Sequence, residues 1–299
     1  MMCYEEFKEF VVEEILNYLP DSFRTWTVEE DVTYKVNQCL DTLRVVPPEE
    51  LAKGGFVIPN FYLEDYYSLV EDGVPPEDVL RYMASFIMGA PTLDELGCMD
   101  FSMEEHKEHV IYFMVNKENN ETFLENVPHH EMLDLAVAYR IVYFHEDDSV
   151  TGLVVTNDVM NEMGMTEEEL FQLSKENMKR MMPFKLLSLY DSLKEQGYVP
   201  RGELMVQAYT LTTEQHTFGA GAIASTEILK NAASSMGGDF MILPSSTHEL
   251  ILVPAELNKV KFYRSIVKEA NSVVITENEW LSDNVYLYSC QDEKVYIAR

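Results

Sequence analysis

The densest group of reactive side chains in this 299-residue sequence is Ser245-Ser246-Thr247-His248-Glu249. Hydroxyls, an imidazole and a carboxylate are the parts of a hydrolase that works through a nucleophile, a base and an orienting acid. That chemistry also requires a base within hydrogen-bond reach of the hydroxyl and donors for an oxyanion, and adjacency in sequence supplies neither. The stretch does not read Gly-x-Ser-x-Gly, the pattern of a nucleophile elbow. A polar turn whose hydroxyls bond its own backbone accounts for the same residues. Ser245, Ser246, His248 and Glu249 are the catalytic candidates, with Thr247 among them. His106 and His109 form a second group beside Glu105 and Glu108, and His129-His130-Glu131 forms a third. A zinc site needs three or four ligands, and neither pair falls in a His-Glu-x-x-His pattern. The four histidines are metal candidates only if the two clusters meet, and the expectation is no metal and no cofactor. Gly219-Ala220-Gly221-Ala222 lacks the Gly-Lys-Ser or Gly-Lys-Thr of a phosphate loop and reads as close backbone packing.

The elements around the Ser245–Glu249 turn are legible on both sides. Phe240–Leu243 and Leu250–Val253 are short apolar runs that should pair as a hairpin. Gly237-Gly238 ends a helix over Thr226–Met236, and Pro254 is expected to open an amphipathic helix over Ala255–Ala270. Upstream, Gly219–Ala224 and Leu204–Thr212 read as strands, and residues 184–196 as a helix. Thr156 and Thr166 are expected caps, the latter in a Thr-x-x-Glu box before a helix reaching about Met182. Leu133–Phe144 is the longest strand-like run, with a turn at Asp147-Asp148-Ser149 into Val150–Val155. His109–Val115 is a further strand, and residues 91–100 read as a linker. Before it come a helix over residues 4–18, two strands at Trp26–Val36 and Cys39–Val46, and two helices either side of Gly73. The second of these starts at Pro75-Pro76, with Val79, Leu80, Met83, Phe86 and Ile87 as its buried face. Val273–Thr276 and a hairpin of Val285–Ser289 with Val295–Ala298 close the chain.

The composition holds 52 acidic against 22 basic residues, a formal charge of −30. The first hundred residues carry 21 acids and 6 bases, and residues 200–299 carry 12 and 8, so the acidity is concentrated early. A surface of this sign repels nucleic acid and anionic lipid. It either keeps the protein dispersed or attracts a basic protein partner, and a DNA-mimicking inhibitor is one form of the second idea. Glu64, Asp65, Glu71, Asp72, Glu77 and Asp78 surround the two helices after the first sheet and are the candidate binding face. No run approaches the ~18 apolar residues of a membrane span. Cys3, Cys39, Cys98 and Cys290 are too scattered for a metal knuckle or redox pair and read as reduced thiols of a cytoplasmic protein. The acidic start of the chain does not read as a signal peptide.

Four stretches together are similar to a known pattern. They are Tyr4-Glu5-Glu6-Phe7; Ile58-Pro59-Asn60-Phe61-Tyr62-Leu63; Val155-Thr156-Asn157 with Thr166-Glu167-Glu168-Glu169-Leu170; and Gly237–Pro254 with Leu281-Ser282-Asp283-Asn284-Val285-Tyr286. Over nearly its whole length the chain resembles a domain-of-unknown-function family of acidic proteins of this size from gut clostridia. The resemblance implies a cytoplasmic bacterial protein and brings no catalytic residue or cofactor with it. The expected fold is α+β, antiparallel sheets with covering helices, in two or three subdomains at 1–90, 101–199 and 200–299. The expected function is a non-enzymatic interaction protein. A hydrolase using the Ser245–Glu249 turn and an acidic DNA mimic are the alternatives.

Overall fold

The structure is a computed structural model that describes residues 2–52, 58–90, 103–144, 150–195, 197–198 and 207–299. The expected linker at 91–100 and the turn at Asp147-Asp148-Ser149 lie outside the described residues, as do the first three residues of the strand expected from Leu204. The fold is α+β, built on antiparallel sheets. It forms two compact units, residues 1–100 and 101–299, so the segments expected at 101–199 and 200–299 lie together in the second.

The first unit is a three-stranded antiparallel sheet under helices. Strands β1 (Thr27–Lys35) and β2 (Gln38–Val46) pair in register around a turn at Asn37, and β3 (Phe61–Tyr62) adds to β2. The helices Tyr4–Glu14, Leu63–Glu71 and Pro76–Gly89 bury Phe7, Val11, Val70, Leu80 and Met83 against Leu43 and Val45. Pro76 opens the third helix with Glu77 and Asp78 in its first turn, where the helix dipole favours acids. Phe86, expected inside, is 46% exposed. It falls on the helix flank shared with Tyr82 and meets that ring edge-on at 4.8 Å, while Ala84 takes the inward place.

The second unit combines two sheets on one core. In the four-stranded sheet, β4 (Val110–Asn116) pairs along one edge of β6 (Leu135–Phe144). β5 (His130–Met132) and β7 (Val150–Val154) share the other edge. The six-stranded sheet runs β13 (Lys294–Ile297), β12 (Tyr286–Ser289), β10 (Phe240–Pro244), β11 (Leu250–Pro254), β9 (Tyr209–Thr213) and β8 (Phe184–Ser188), antiparallel throughout. Alternation along β10 explains its unbroken apolar run. Phe240 and Ile242 join the core shared with β4, β6 and the helix Glu167–Met181, whereas Met241 and Leu243 face the helix Val260–Val273.

The β10–β11 hairpin pairs as expected, Leu243 opposite Ile251, with Ser245–Glu249 as its turn. Four local expectations are corrected. Pro254 closes β11 opposite Phe240 rather than opening a helix, and the helix proper starts at Val260. Residues 184–196 divide into β8 and a helix at Leu189–Glu195, because Phe184–Ser188 finds a pairing edge on β9. Val273–Thr276 is the end of a helix and a turn, not a strand. Gly219–Ala224 is a 3-10 helix, pressed into that shape where a Cβ on Gly219 would lie 2.3 Å from the His248 carbonyl oxygen and 2.5 Å from Thr212 Cα. The caps at Thr156 and Thr166 form, the latter as a box with Glu169.

Ile251 is half-buried, while Leu250 and Leu252 beside it are fully enclosed. Leu252→Ala is therefore expected to cost ~2–5 kcal/mol by urea denaturation, and Ile251→Ala clearly less.

A carboxylate fastens the turn between β5 and β6 to the C-terminal segment. Asp134 accepts hydrogen bonds from Ser282 Oγ at 2.7 Å, Asn284 Nδ2 at 2.9 Å and Tyr286 Oη at 3.0 Å. Ser282 and Tyr286 are buried.

Candidate functional site

The hairpin turn is held from three sides, and the holding isolates its imidazole. The Ser246 hydroxyl accepts the backbone N–H of His248 at 3.0 Å, and Ser245 donates to a Glu249 carboxylate oxygen at 3.3 Å. The His248 carbonyl accepts from Gly219 N–H at 2.9 Å and from Thr212 Oγ1 at 2.8 Å. Thr247 N–H donates to the Glu279 carbonyl at 2.9 Å. Ser246 and Thr247 are only 7% and 6% exposed. The two serines are thus occupied within the turn, and the ring of His248 faces other residues.

Those residues come from the loop after β9 and from the short 3-10 turn Glu277–Glu279. Nδ1 of His248 accepts the backbone N–H of Phe218 at 3.2 Å and lies 3.1 Å from Thr217 Oγ1. Because a backbone N–H can only donate, Nδ1 carries no proton, and the neutral ring keeps its proton on Nε2. Nε2 lies 3.6 Å from a Glu279 carboxylate oxygen. The hydroxyl brought to the imidazole is therefore that of Thr217, not of a serine in the turn. The loop presenting it is tightly specified. Thr213 Oγ1 both donates to the Thr217 carbonyl at 2.7 Å and accepts its N–H at 3.2 Å. On either side, His216 and Phe218 sit at φ of +55° and +57°, left-handed conformations that side chains other than glycine adopt at a cost.

Arg140 completes the site. It is the one charge in the buried run of β6, and its guanidinium carbon lies 5.6 Å from the ring centre of Phe113 and 5.5 Å from that of Phe218. Its Nε is enclosed and has no hydrogen-bond partner among the described residues. No carboxylate among the described residues pairs with it. Phe218 in turn meets His248 edge-on at 5.9 Å. Burial holds the His248 imidazole below its ordinary pKa. The Arg140 charge adds to this and Glu279 opposes it. Burial also lowers the pKa of Arg140.

This sets a pH dependence with a definite sign. The folded-state pKa of His248 lies below the ~6.5 of a free imidazole. Between the two values the unfolded chain binds the proton and the folded chain does not. The contribution of His248 to stability is then full above about pH 6.5 and is lost as pH falls from there through the folded value. Thermal melts between pH 8 and pH 5 should show a loss of stability with acid that His248→Gln flattens in part. A melt profile unaltered by His248→Gln would count against a neutral, partly buried imidazole.

The histidine clusters are not brought together. His109 Nδ1 donates to the Val142 carbonyl at 3.0 Å beside one end of β6, and His106 contacts Tyr143. His130 pairs with Val137 toward the other end and stacks on Phe171, and His129 bonds to the Val127 carbonyl. Among the described residues, no group of three or more His, Cys, Asp or Glu side chains is arranged to hold a metal ion. The acidic candidates divide. Glu64 turns inward, accepting Asp41 N–H at 2.9 Å, with its other oxygen enclosed. Asp65, Glu71, Asp72, Glu77 and Asp78 are exposed, with Asp78 paired to Arg81. Cys3, Cys39 and Cys290 carry free, exposed thiols. No helix among the described residues is long and apolar enough to cross a membrane.

Sequence reasoning found His248 and missed Arg140, Thr217, Phe218 and Glu279. The available signal for Arg140 was a lone cation inside an apolar strand. Nothing local marked the other three.

The chain belongs to DUF5688, a family of unknown function, whose match runs over residues 4–290 and so through both units. No curated protein and no solved structure matches the chain.

Proposed function

We propose that the second unit binds a small molecule through a carboxylate or phosphate group at Arg140 and His248, and that the protein acts as a binding module without chemistry of its own. One observation carries this reading. A chain with 52 acidic residues leaves the guanidinium of Arg140 between two aromatic rings with no carboxylate beside it among the described residues. Withdrawing a cation from water without a partner costs free energy, and an arriving anion recovers it through charge-assisted hydrogen bonds. The Phe113 and Phe218 rings steady the guanidinium by cation–π attraction, and its enclosed Nε has no acceptor among the described residues. Thr217 and His248 are the polar side chains next to Phe218, with Thr217 Oγ1 3.1 Å from Nδ1 and Glu279 3.6 Å from Nε2. The side chains of His248 and Glu279 are about one-third exposed, at 33% and 38%, which leaves room for approach. A hydrolase reading would now run through Thr217, His248 and Glu279 rather than through Ser245 or Ser246.

Native mass spectrometry of the protein purified from its own host tests the binding reading. A small anionic species should accompany the wild-type chain and be absent from Arg140→Met. Identical spectra of bare protein for both would contradict it.

A second reading concerns the first unit, where Asp65, Glu71, Asp72, Glu77 and Asp78 stand exposed around the connection between two helices. A field of this kind raises encounter rates with a basic protein and fades as salt shortens its reach to about 8 Å at physiological strength. Replacing these carboxylates with Asn and Gln should remove proteins captured from lysate at low salt. An unchanged set would dismiss the face as a docking surface.

A further inference from the structure

Tyr112 lies in the same unit, on the far face of β4 from Phe113. Tyr112 is 1% exposed, with its ring edge-on to Phe171 at 5.9 Å. Gly221 makes the seat possible, since a Cβ there would lie 2.9 Å from Tyr112 Cε2. The Tyr112 ring is enclosed, and its hydroxyl makes no hydrogen bond with any described residue. Burial pushes its phenol upward, so the group stays protonated and able to donate.

Tyr112 lines a cleft of about 250 Å³ between the helix Glu167–Met181 and the start of the helix Thr226–Met236. Phe184 and Met178 give this cleft an apolar side, and Lys175 stands on its rim. Ser225 caps the second helix by accepting Ile228 N–H, which leaves the N–H groups of Thr226 and Glu227 without acceptors among the described residues. Lys179 is held by Glu227 at 2.8 Å. Lys175 has no carboxylate among the described residues and lies over the Phe171 ring, 4.3 Å from its centre. A phenol, two backbone N–H groups at a positive helix end and an uncommitted ammonium thus border one small cleft. All of them donate.

We infer that this cleft binds the phosphate or carboxylate of a small molecule, with the Tyr112 hydroxyl, the Thr226 and Glu227 N–H groups and Lys175 as donors. Its volume is below the ~300–1,000 Å³ of sites for drug-sized ligands, so it takes a head group rather than a long substrate. The site is independent of the one at Arg140 and stands whether or not that reading holds.

The test is a backbone amide NMR titration of the full chain with inorganic phosphate and, separately, with acetate. The Thr226 and Glu227 amide signals should shift and saturate with at least one of the two, and whichever saturates names the group. Tyr112→Phe keeps the ring and its packing and should weaken that binding by about tenfold, as should Lys175→Met. The same shifts should persist in Arg140→Met, which separates this cleft from the other site. Absence of saturable shifts with both anions would overturn the inference, and so would unchanged affinity in Tyr112→Phe.

Discussion

Asp134→Ala should destabilise the second unit by about 4 kcal/mol and lower its melting temperature by roughly 10 °C. The carboxylate takes three hydrogen bonds, from Ser282, Asn284 and Tyr286. A hydrogen bond to a charged group contributes ~1.5–3 kcal/mol, and donors stranded in the interior cost ~1–3 kcal/mol each. Neighbouring bonds are not additive, which places the total below the sum of the three. Ser282 and Tyr286 are buried and have no route to water without movement of the segment. Asp134→Asn retains one acceptor oxygen and should recover about half of the loss. Tyr286→Phe removes one bond and should cost about 1.5 kcal/mol. Chemical denaturation of the three variants measures this order. A loss under about 1 kcal/mol for Asp134→Ala would mean that the cluster is hydrated and does not fasten the C-terminal segment to the β5–β6 turn.

Arg140→Met should do the reverse to stability while weakening anion binding. Removing a cation that has no carboxylate partner among the described residues relieves its desolvation, and replacing buried ionic groups with apolar ones of similar volume is often neutral or stabilising. The cation–π attraction to each ring disappears with the guanidinium, which offsets this by about 0.5–1 kcal/mol per ring. A methionine sulfur recovers part of that against Phe113 and Phe218. The net expectation is a stability equal to wild type or up to about 1 kcal/mol higher. Affinity for a carboxylate or phosphate should fall at least tenfold, the value of one charge-assisted hydrogen bond. A loss of more than about 2 kcal/mol of stability would instead make Arg140 part of the scaffold. Gain of stability with loss of binding is the pattern of a residue kept for what it holds.

The uneven legibility of the chain follows from which forces are local. The β10–β11 hairpin was readable because two apolar runs, a polar turn and flanking glycines all point to one structure. The caps at Thr156 and Thr166 were readable because their partners lie three residues away. Gly219–Ala224 was not, because glycine and alanine have no periodicity, and its shape is set by how closely it approaches His248 and Thr212. Phe184–Ser188 became a strand only because β9 offered an edge. Phe86 fits a buried stripe by spacing, yet it lies beside Tyr82 on an exposed flank. His248 stood out in sequence, but its meaning depends on Thr217, Phe218, Glu279 and Arg140, which tertiary packing gathers from separate elements. The serines that looked most reactive are the ones the turn uses for its own bonds.

The most direct test of the anion site is the titration of the His248 imidazole, followed by NMR in the presence and absence of phosphate and of acetate, in wild type and Arg140→Met. His248→Gln identifies its signal among the seven histidines. In wild type the pKa of His248 should start below the ordinary ~6.5 and rise when the anion binds, since a negative charge beside Arg140 favours the imidazolium. In Arg140→Met it should start higher than in wild type, because the neighbouring cation is gone, and it should not respond to either anion. A wild-type His248 that titrates identically with and without both anions would contradict an anion site at Arg140, as would an equal response in Arg140→Met.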